Sequence, residues 1–186
     1  MTEEANLIIA CQKGNTEAFG KLYDFYSKKI YDFLYYRTHH KQTAEDLAST
    51  VFTKALEKIR QFDSGKAQFS TWLYQIARNT LIDHYRALKT TDNIEDIWDL
   101  PSSANVERDA DTTLALEKVK EHIKQLPSLQ RDIVVMRLWD GLSHAEIASI
   151  LSITEGNSKV SFSRAVDKLR VEVGIIAFIL LLKNFY

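Results

Sequence analysis

Apolar positions recur at three- and four-residue intervals through most of this chain of 186 residues, which is the pattern of amphipathic helices. The clearest stripe follows Asn15 or Thr16, either of which can cap a helix. The predicted inward face of that helix consists of Phe19, Leu22, Tyr23, Tyr26, Ile30, Phe33 and Leu34. No segment alternates apolar and polar residues as a half-buried strand does, so the pattern predicts an all-α fold.

Two more helices are predicted to share a core with this one. Thr43 and Asp46 resemble a capping box, and four-residue steps then place Leu47, Val51, Ala55 and Ile59 on one face. A third helix is expected to begin at Ser70 or Thr71. Its predicted inward residues are Trp72, Leu73, Ile76, Ala77 and Leu81.

The second half of the chain forms a separate helical pattern. Residues 90–111 have no sustained period, and residues 90–113 carry one base against seven acids, which predicts a mobile acidic linker. We therefore predict two small helical domains, residues 1–89 and 112–170, followed by an apolar tail, residues 171–186. In the second domain one helix stops at Pro127, and Ser128 is expected to cap the next, which ends at Gly141.

Composition narrows the class of protein. Apolar residues make up 45% and charged residues 26%, a globular balance, and the formal net charge of −1 requires that any basic surface be local. The single cysteine, Cys11, excludes an internal disulfide and fits a reducing cytoplasm. The acidic N-terminus does not resemble a secretory signal, and the apolar run in residues 173–182 is too short to span a bilayer.

Residues 143–170 have the spacing of a helix-turn-helix. Ser143 and Glu146 form a predicted capping box, residues 152–154 form a short turn, and Thr154 can cap the last helix. Small Ala148 would let the two helices approach closely. An ordinary helical hairpin fits the spacing equally well, but the polar first turn and the downstream bases favour a helix that reads DNA in the major groove.

A polar loop flanked by aromatic residues is the second candidate site. Residues 63–68 lie between Phe62 and Phe69, and the following helix carries Trp72, Tyr74 and Arg78. Aromatic rings beside basic and amide groups suit unstacked bases of single-stranded nucleic acid. Without further information, the commoner role of Phe69 and Trp72 would be in a core.

Together these segments resemble the extracytoplasmic-function family of bacterial RNA polymerase sigma factors. The resemblance to region two rests on the segments AEDL (44–47), VF (51–52) and FSTWLYQIARN (69–79). The resemblance to region four rests on LP (126–127), GLS (141–143), EIA (146–148), EGN (155–157), SRA (163–165) and KLR (168–170). Both sets occur in the order and spacing of the family, over residues 5 to 170.

The family resemblance implies a transcription initiation factor that binds core RNA polymerase, recognises promoter DNA and opens it. The helix over residues 43–61 would bind the largest polymerase subunit, the 63–68 loop would hold a base flipped from the non-template strand, and region four would contact duplex DNA and the second-largest subunit. The residues assigned to core-polymerase binding are Asp46, Ser49 and Phe52; those assigned to the minus-ten element are Asp63, Ser64, Gly65, Lys66, Gln68, Trp72, Tyr74, Arg78 and Asn79; those assigned to the minus-thirty-five element are Glu155, Asn157, Ser158, Lys159, Ser161, Arg164 and Lys168.

Some positions depart from the family pattern. Ser49 stands where the family usually has Gln in the core-binding helix, a departure that bears on polymerase docking. In region four, Ser158 replaces a usual apolar residue, Ser161 a usual Arg and Val166 a usual basic residue, which implies fewer phosphate contacts and weaker, less salt-dependent DNA binding by this domain. The resemblance also implies an anti-sigma factor as a partner. The apolar tail matches no part of the family pattern, and we expect it to pack on this protein or on a partner.

Other functions fit the sequence less well. His39 and His40 are adjacent, so they cannot present one face of a helix to a metal ion, and we expect a solvated pair. No phosphate-binding glycine loop and no nucleophile–base set occurs, so we predict no enzyme activity, no metal and no cofactor. The rival interpretations are a helix-turn-helix regulator with an N-terminal sensor or dimerisation domain, and a helical module that binds only a protein partner.

Overall fold

The structure, a computed structural model, describes residues 2–88, 122–138 and 140–173, without the side chains of residues 172 and 173. The chain divides into two compact units, Met1–Ile94 and Glu95–Tyr186. Every regular element in the described ranges is helical, which confirms the all-α prediction. The predicted linker at 90–111 and residues 174–186 of the predicted tail lie outside the described residues.

The first unit contains four α-helices and a 3-10 turn in its described part. These are α1 (Glu3–Gln12), α2 (Thr16–Thr38), α3 (Lys41–Lys58), the turn Ile59–Gln61 and α4 (Phe69–Leu88). Thr2 caps α1. The sequence pattern did not predict this helix, because its apolar residues are consecutive and define no single stripe. As expected, Asn15 caps α2 by accepting a hydrogen bond from the amide of Ala18. Helix α2 packs on α1 and α3, and α3 packs on α4.

The core of this unit follows the predicted stripes with one exception. Six of the seven α2 positions are buried, but Tyr23 is 46% exposed because it lies at the edge of the stripe. On α3 and the following turn, the core consists of Leu47, Val51, Ala55 and Ile59, as predicted. On α4, Leu73, Ala77 and Leu81 are buried, whereas Trp72 and Ile76 are only half-buried.

Helix α3 begins earlier than predicted. Its cap is His40, whose Nδ1 accepts a hydrogen bond from the amide of Thr43 at 3.2 Å, so Thr43 lies inside the first turn and the proposed Thr43–Asp46 capping box is wrong. His39 ends α2 in the left-handed conformation, with φ 49°, and its side chain is buried. The expectation of a solvated His39–His40 pair is therefore wrong, because the sharp connection between α2 and α3 places His39 inside.

The described part of the second unit contains three α-helices after a helical segment at residues 122–124. They are α5 (Ser128–Leu138), α6 (His144–Leu151) and α7 (Glu155–Val173), and each packs on the other two. Ser128 is the first residue of α5 rather than its cap, since the carbonyl of Pro127 accepts the amide of Arg131. Gly141 adopts a φ of +67° after α5, a conformation that glycine tolerates at a helix end.

Helix α7 extends three residues into the segment predicted as the tail. Among the described residues, no helix is both long enough and apolar enough to cross a membrane.

Candidate functional site

The loop at residues 63–68 is held in a defined turn. The Asp63 carboxylate accepts a hydrogen bond from the amide of Gly65 at 2.9 Å, and the Asp63 carbonyl accepts one from the amide of Lys66 at 3.0 Å. The Lys66 ammonium lies 3.5 Å from the same carboxylate, with both side chains exposed. Of the predicted contacts in this loop, all five are exposed: Asp63, Ser64, Gly65, Lys66 and Gln68.

An aromatic cluster supports both ends of the loop. The rings of Phe62, Phe69 and Trp72 pack against one another, with centroids 5.2 to 5.5 Å apart. Gln12 on α1 donates a hydrogen bond of 2.7 Å to the carbonyl of Phe62. Phe62 and Phe69 are buried, so their part is to hold the loop, while half-buried Trp72 keeps some surface beside it.

Tyr74 cannot contact DNA as predicted. Its side chain is fully buried in the first unit, and its ring packs edge-on against Phe33 at 5.4 Å. The prediction rested on the position of Tyr74 between Trp72 and Arg78 in the sequence. On a helix, however, successive residues point about 100° apart, so neighbours in sequence reach different environments.

Arg78 and Asn79 lie in a groove of about 720 Å³ between α3 and α4. Helix α3 contributes Lys54 and Lys58 to the same groove. The Lys54 ammonium bonds to the hydroxyl of Thr80 at 3.1 Å and lies 3.8 Å from the Asp83 carboxylate. Neither lysine was among the predicted contacts, because the sequence pattern of α3 defines only its apolar stripe.

The predicted docking helix, α3, has an exposed face that borders a second groove. Asp46 and Ser49 are exposed, as that role requires. Phe52 is buried, with its ring 4.6 Å from that of Tyr23, so it can only line the groove and does not project as a docking side chain. The groove, about 540 Å³, runs between α2 and α3 and is lined by Phe19, Tyr23, Ser27, Lys28, Tyr31, Glu45, Ala48, Ser49, Phe52, Thr53 and Leu56.

Two exposed apolar residues at this groove were not among the predicted contacts. Tyr23 is 46% exposed and Leu56 is 44% exposed. The position of Leu56 gave a usable signal, because it follows Ala55 and falls outside the four-residue steps that define the buried face of α3. An exposed apolar residue off that face indicates a contact surface where it joins others in a patch, as Leu56 does with Tyr23 along this groove.

The helix-turn-helix has the predicted local structure. Ser143 and Glu146 form both hydrogen bonds of a capping box at the start of α6. The turn comprises residues 152–154, and the Thr154 hydroxyl accepts the amide of Asn157 at 3.1 Å. Ala148 is buried where the two helices meet. These contacts confirm the predicted caps and turn.

Two serines predicted to contact DNA on α7 are buried instead. Ser158 is fully buried, and its hydroxyl bonds to His144 Nδ1 of α6 at 3.0 Å. Ser161 is 8% exposed and donates to the side-chain oxygen of Asn157 at 3.0 Å. Both lie on the face of α7 that carries Ala165 and Leu169, which packs inward, so neither serine can reach a base or phosphate.

The other predicted contacts on α7 are exposed, namely Glu155, Asn157, Lys159, Arg164 and Lys168. They lie on both flanks of the buried face, Glu155 and Lys159 on one and Asn157, Arg164 and Lys168 on the other. Glu155 pairs with Lys159 at 2.7 Å, and this hydrogen bond lowers the pKa of the Glu155 carboxyl. A phosphate that contacts Lys159 would have to compete with this carboxylate, which weakens the contribution of Lys159.

The His144 ring joins the two helices of this motif. Burial lowers its pKa below the ordinary value of 6.5, and the positive charges of Arg137 and Lys159 lower it further, against an opposing effect of Glu155. Its ring also lies 5.5 Å from that of Phe162 on α7. Protonation would therefore place a charge at a packed helix–helix contact, where it is disfavoured.

Comparison with known proteins assigns both units. The chain matches the family descriptions "Sigma-70 region 2" over residues 22–91 and "Sigma-70, region 4" over residues 116–169. It is 35% identical over 168 residues to the ECF RNA polymerase sigma factor BldN of Streptomyces coelicolor, covering 88% of this chain and 63% of that protein. It is 32% identical over 173 residues to the ECF RNA polymerase sigma factor SigW of Bacillus subtilis, covering 87% of this chain and 92% of that one.

Solved structures agree on the fold. The sigma factor RpoE of Bartonella quintana, crystallised with the anti-sigma factor NepR, matches with a TM-score of 0.70 and 22% identity, over 84% of this chain and 97% of that one. CnrH, in complex with the cytosolic domain of CnrY, matches with a TM-score of 0.66 and 21% identity, over 89% of this chain and 94% of that one. With two region matches that together span more than half of its length, and relatives above 30% identity, the chain belongs to the extracytoplasmic-function family of RNA polymerase sigma factors.

Proposed function

We propose that this sigma factor binds core RNA polymerase through the exposed face of α3 and the adjoining α2/α3 groove. The groove combines exposed Tyr23 and Leu56 with polar Ser49 at its edge, a mixture that suits a protein partner better than a nucleic acid. Asp46 lies one turn before Ser49 on the same exposed face. Docking here leaves the loop at residues 63–68 and the α3/α4 groove available for DNA.

We propose that the loop at residues 63–68, whose turn is formed in the free protein, takes part in promoter opening. Its turn is fixed by Asp63, and its two ends are held by a packed aromatic cluster, so its polar groups are presented without an ordering cost at binding. A base removed from the stack needs such polar groups at its exposed edge and an aromatic surface beside it, which Trp72 can supply. We infer that the loop captures one unpaired base of the non-template strand.

The α3/α4 groove would then hold duplex DNA at the upstream edge of the opened region. Four basic side chains line it, Lys54, Lys58, Arg78 and Arg86, against two acidic ones, Glu57 and Asp83. This local excess of positive charge is what phosphate binding requires in a chain whose net charge is −1.

In region four, α7 would enter the major groove of the minus-thirty-five element. The five exposed residues predicted to contact DNA are the candidates, and Arg164, unlike Lys159, is not held in a described ion pair. The second-largest polymerase subunit remains a proposed partner of this unit. An anti-sigma factor is a further proposed partner, supported by the Bartonella relative, which was crystallised with one.

The family match favours an initiation factor over a regulator with a sensor or dimerisation domain, because the first unit itself matches Sigma-70 region 2. The role proposed here is binding and DNA opening in the cytoplasm, with no catalytic step of its own.

Replacing residues 63–68 by a Gly/Ser loop of equal length tests the central claim. We expect permanganate reactivity of unpaired thymines near the minus-ten element to disappear, while gel filtration still shows co-elution with core polymerase. Asp46→Lys is the matched control for docking, since it should weaken co-elution and leave helicity unchanged. Permanganate reactivity retained by the loop variant would refute base capture, and undiminished co-elution of Asp46→Lys would refute docking through α3.

A further inference from the structure

Helix α2 carries a phenylalanine on its surface whose exposure the fold does not explain. Phe25 is 65% exposed, although it precedes Tyr26, a buried residue of the stripe of the same helix. The ammonium of Lys29, one turn later, lies 5.1 Å from the centre of the Phe25 ring and 5.7 Å from that of Tyr26. An exposed ring beside a cation is a common arrangement in surfaces that bind nucleotides.

Phe25 lies on the flank of α2 that faces away from the α2/α3 groove. That groove takes Tyr23, Ser27 and Tyr31 from α2, and these positions point to the other side of the buried stripe. A partner that docks in the groove would therefore leave Phe25 uncovered.

The same flank leads to the loop at residues 63–68. The ring of Tyr26 lies 5.0 Å from that of Phe25 and 5.5 Å from that of Phe69, the residue at which the loop ends. Tyr26 is itself buried, and its hydroxyl bonds to the Glu4 carboxylate, so it fixes the spacing between Phe25 and the loop. The exposed Phe25 ring is therefore connected to the end of the loop through Tyr26, which contacts both Phe25 and Phe69.

We propose that Phe25 and Lys29 form a second contact for the unpaired non-template strand, next to the base held by the loop. A neighbouring base stacks on the exposed part of the Phe25 ring, and its phosphate pairs with Lys29. This inference rests on the proposed function of the loop. Because every base has a π face, the contact would tolerate any base and would stabilise the open strand without reading its sequence.

The test uses holoenzyme assembled from the full chain and core polymerase, on a promoter fragment selected by run-off transcription. 2-Aminopurine is placed at one non-template position at a time on both sides of the captured base. We expect one position whose fluorescence stays quenched when the wild-type protein opens the DNA and rises on opening with Phe25→Ala. The lifetime of the open complex with Phe25→Ala should be about tenfold shorter, since stacking on an aromatic ring contributes on that scale.

Two further variants sharpen the test. Leu88→Ala removes a side chain of similar exposure, 68%, from α4 and should leave the fluorescence unchanged. Lys29→Gln should lower the dependence of log K on log salt by about 0.7, the value for one phosphate of a single strand. Circular dichroism checks that each variant keeps its helices.

The two proposals fail in different ways. If the Gly/Ser loop variant still opens DNA, base capture by the loop is wrong. If that variant loses opening but Phe25→Ala changes no position and no lifetime, capture stands and the second contact is refuted. A loss of co-elution of Phe25→Ala with core polymerase would also overturn the inference, since it would make Phe25 a protein contact.

Discussion

Asp63 offers a direct way to ask whether the loop must be preformed to open DNA. Asp63→Ala removes the acceptor that holds the amide of Gly65 at 2.9 Å and the partner of Lys66 at 3.5 Å. It leaves the backbone carbonyl that accepts the amide of Lys66. Asp63→Asn is the matched variant, because its amide oxygen can still accept from Gly65 while its charge is gone.

The expected free energies distinguish the Asp63–Gly65 hydrogen bond from the Asp63–Lys66 ion pair. A hydrogen bond of this kind contributes about 0.5–1.5 kcal/mol net, which corresponds to about a 2- to 10-fold change in an equilibrium. The ion pair contributes less, because the side chains of Lys66 and Asp63 are 83% and 53% exposed and such pairs are screened by water and salt. We therefore expect Asp63→Ala to lower promoter opening by about 2- to 10-fold, and Asp63→Asn by less than about twofold.

Permanganate reactivity at saturating core polymerase measures the opened fraction, and gel filtration measures core binding separately. Core binding should be the same for both variants, since Asp63 lies outside the docking face of α3. Equal losses for Asp63→Ala and Asp63→Asn would refute the reasoning, because they would show that the charge matters and the turn does not. Unchanged opening in both would show that the loop needs no preformed turn.

Three further predictions concern Tyr74, the bases of α7 and His144. Tyr74→Ala should lower the free energy of unfolding of the first unit by about 3–5 kcal/mol in urea, while the exposed Asn79→Ala should change it by less than about 0.5 kcal/mol; a stable Tyr74→Ala protein that fails only in DNA binding would restore the rejected role. Arg164→Ala should reduce the salt slope of promoter binding by about 0.9, and Lys159→Ala by less, because Glu155 already pairs with Lys159; the reverse order would contradict this. Because the pKa of His144 is lowered in the folded state, the unfolded chain takes up the proton first on acidification, so the second unit should lose stability as the pH falls through 6.5. In urea unfolding between about pH 7.5 and 5.5, His144→Gln should flatten this dependence, and an unchanged slope would exclude His144 as its cause.

Local signals in the sequence were sufficient where the structure depends on neighbours along the chain. The capping box of Ser143 and Glu146 and the cap at Thr154 appear as predicted, and so do six of the seven positions in the stripe of α2. Helix caps involve residues three apart, and an amphipathic stripe needs only the helical period. The starts of α3 and α5 are exceptions among these signals: His40 caps α3 in place of Thr43, and Ser128 is the first residue of α5 rather than its cap.

Which polar or aromatic residues are available for binding was decided by tertiary packing. Tyr74 and Trp72 are two residues apart on α4, yet Tyr74 meets Phe33 of α2 and is fully buried, while Trp72 lies beside the loop and keeps some surface. Ser158 is buried because His144 of α6 supplies the hydrogen bond that a hydroxyl inside the protein requires.

By itself, the sequence determined the helices other than α1, several of their caps and the family resemblance, because these follow from the order and spacing of residues. The tertiary structure decided which groups face a partner: the α2/α3 groove, the lysines beside Arg78 and the exposed ring of Phe25. The exposure of a residue depends on which side chains pack against it. Those side chains belong to another helix, far away in the sequence, so a local pattern does not predict them.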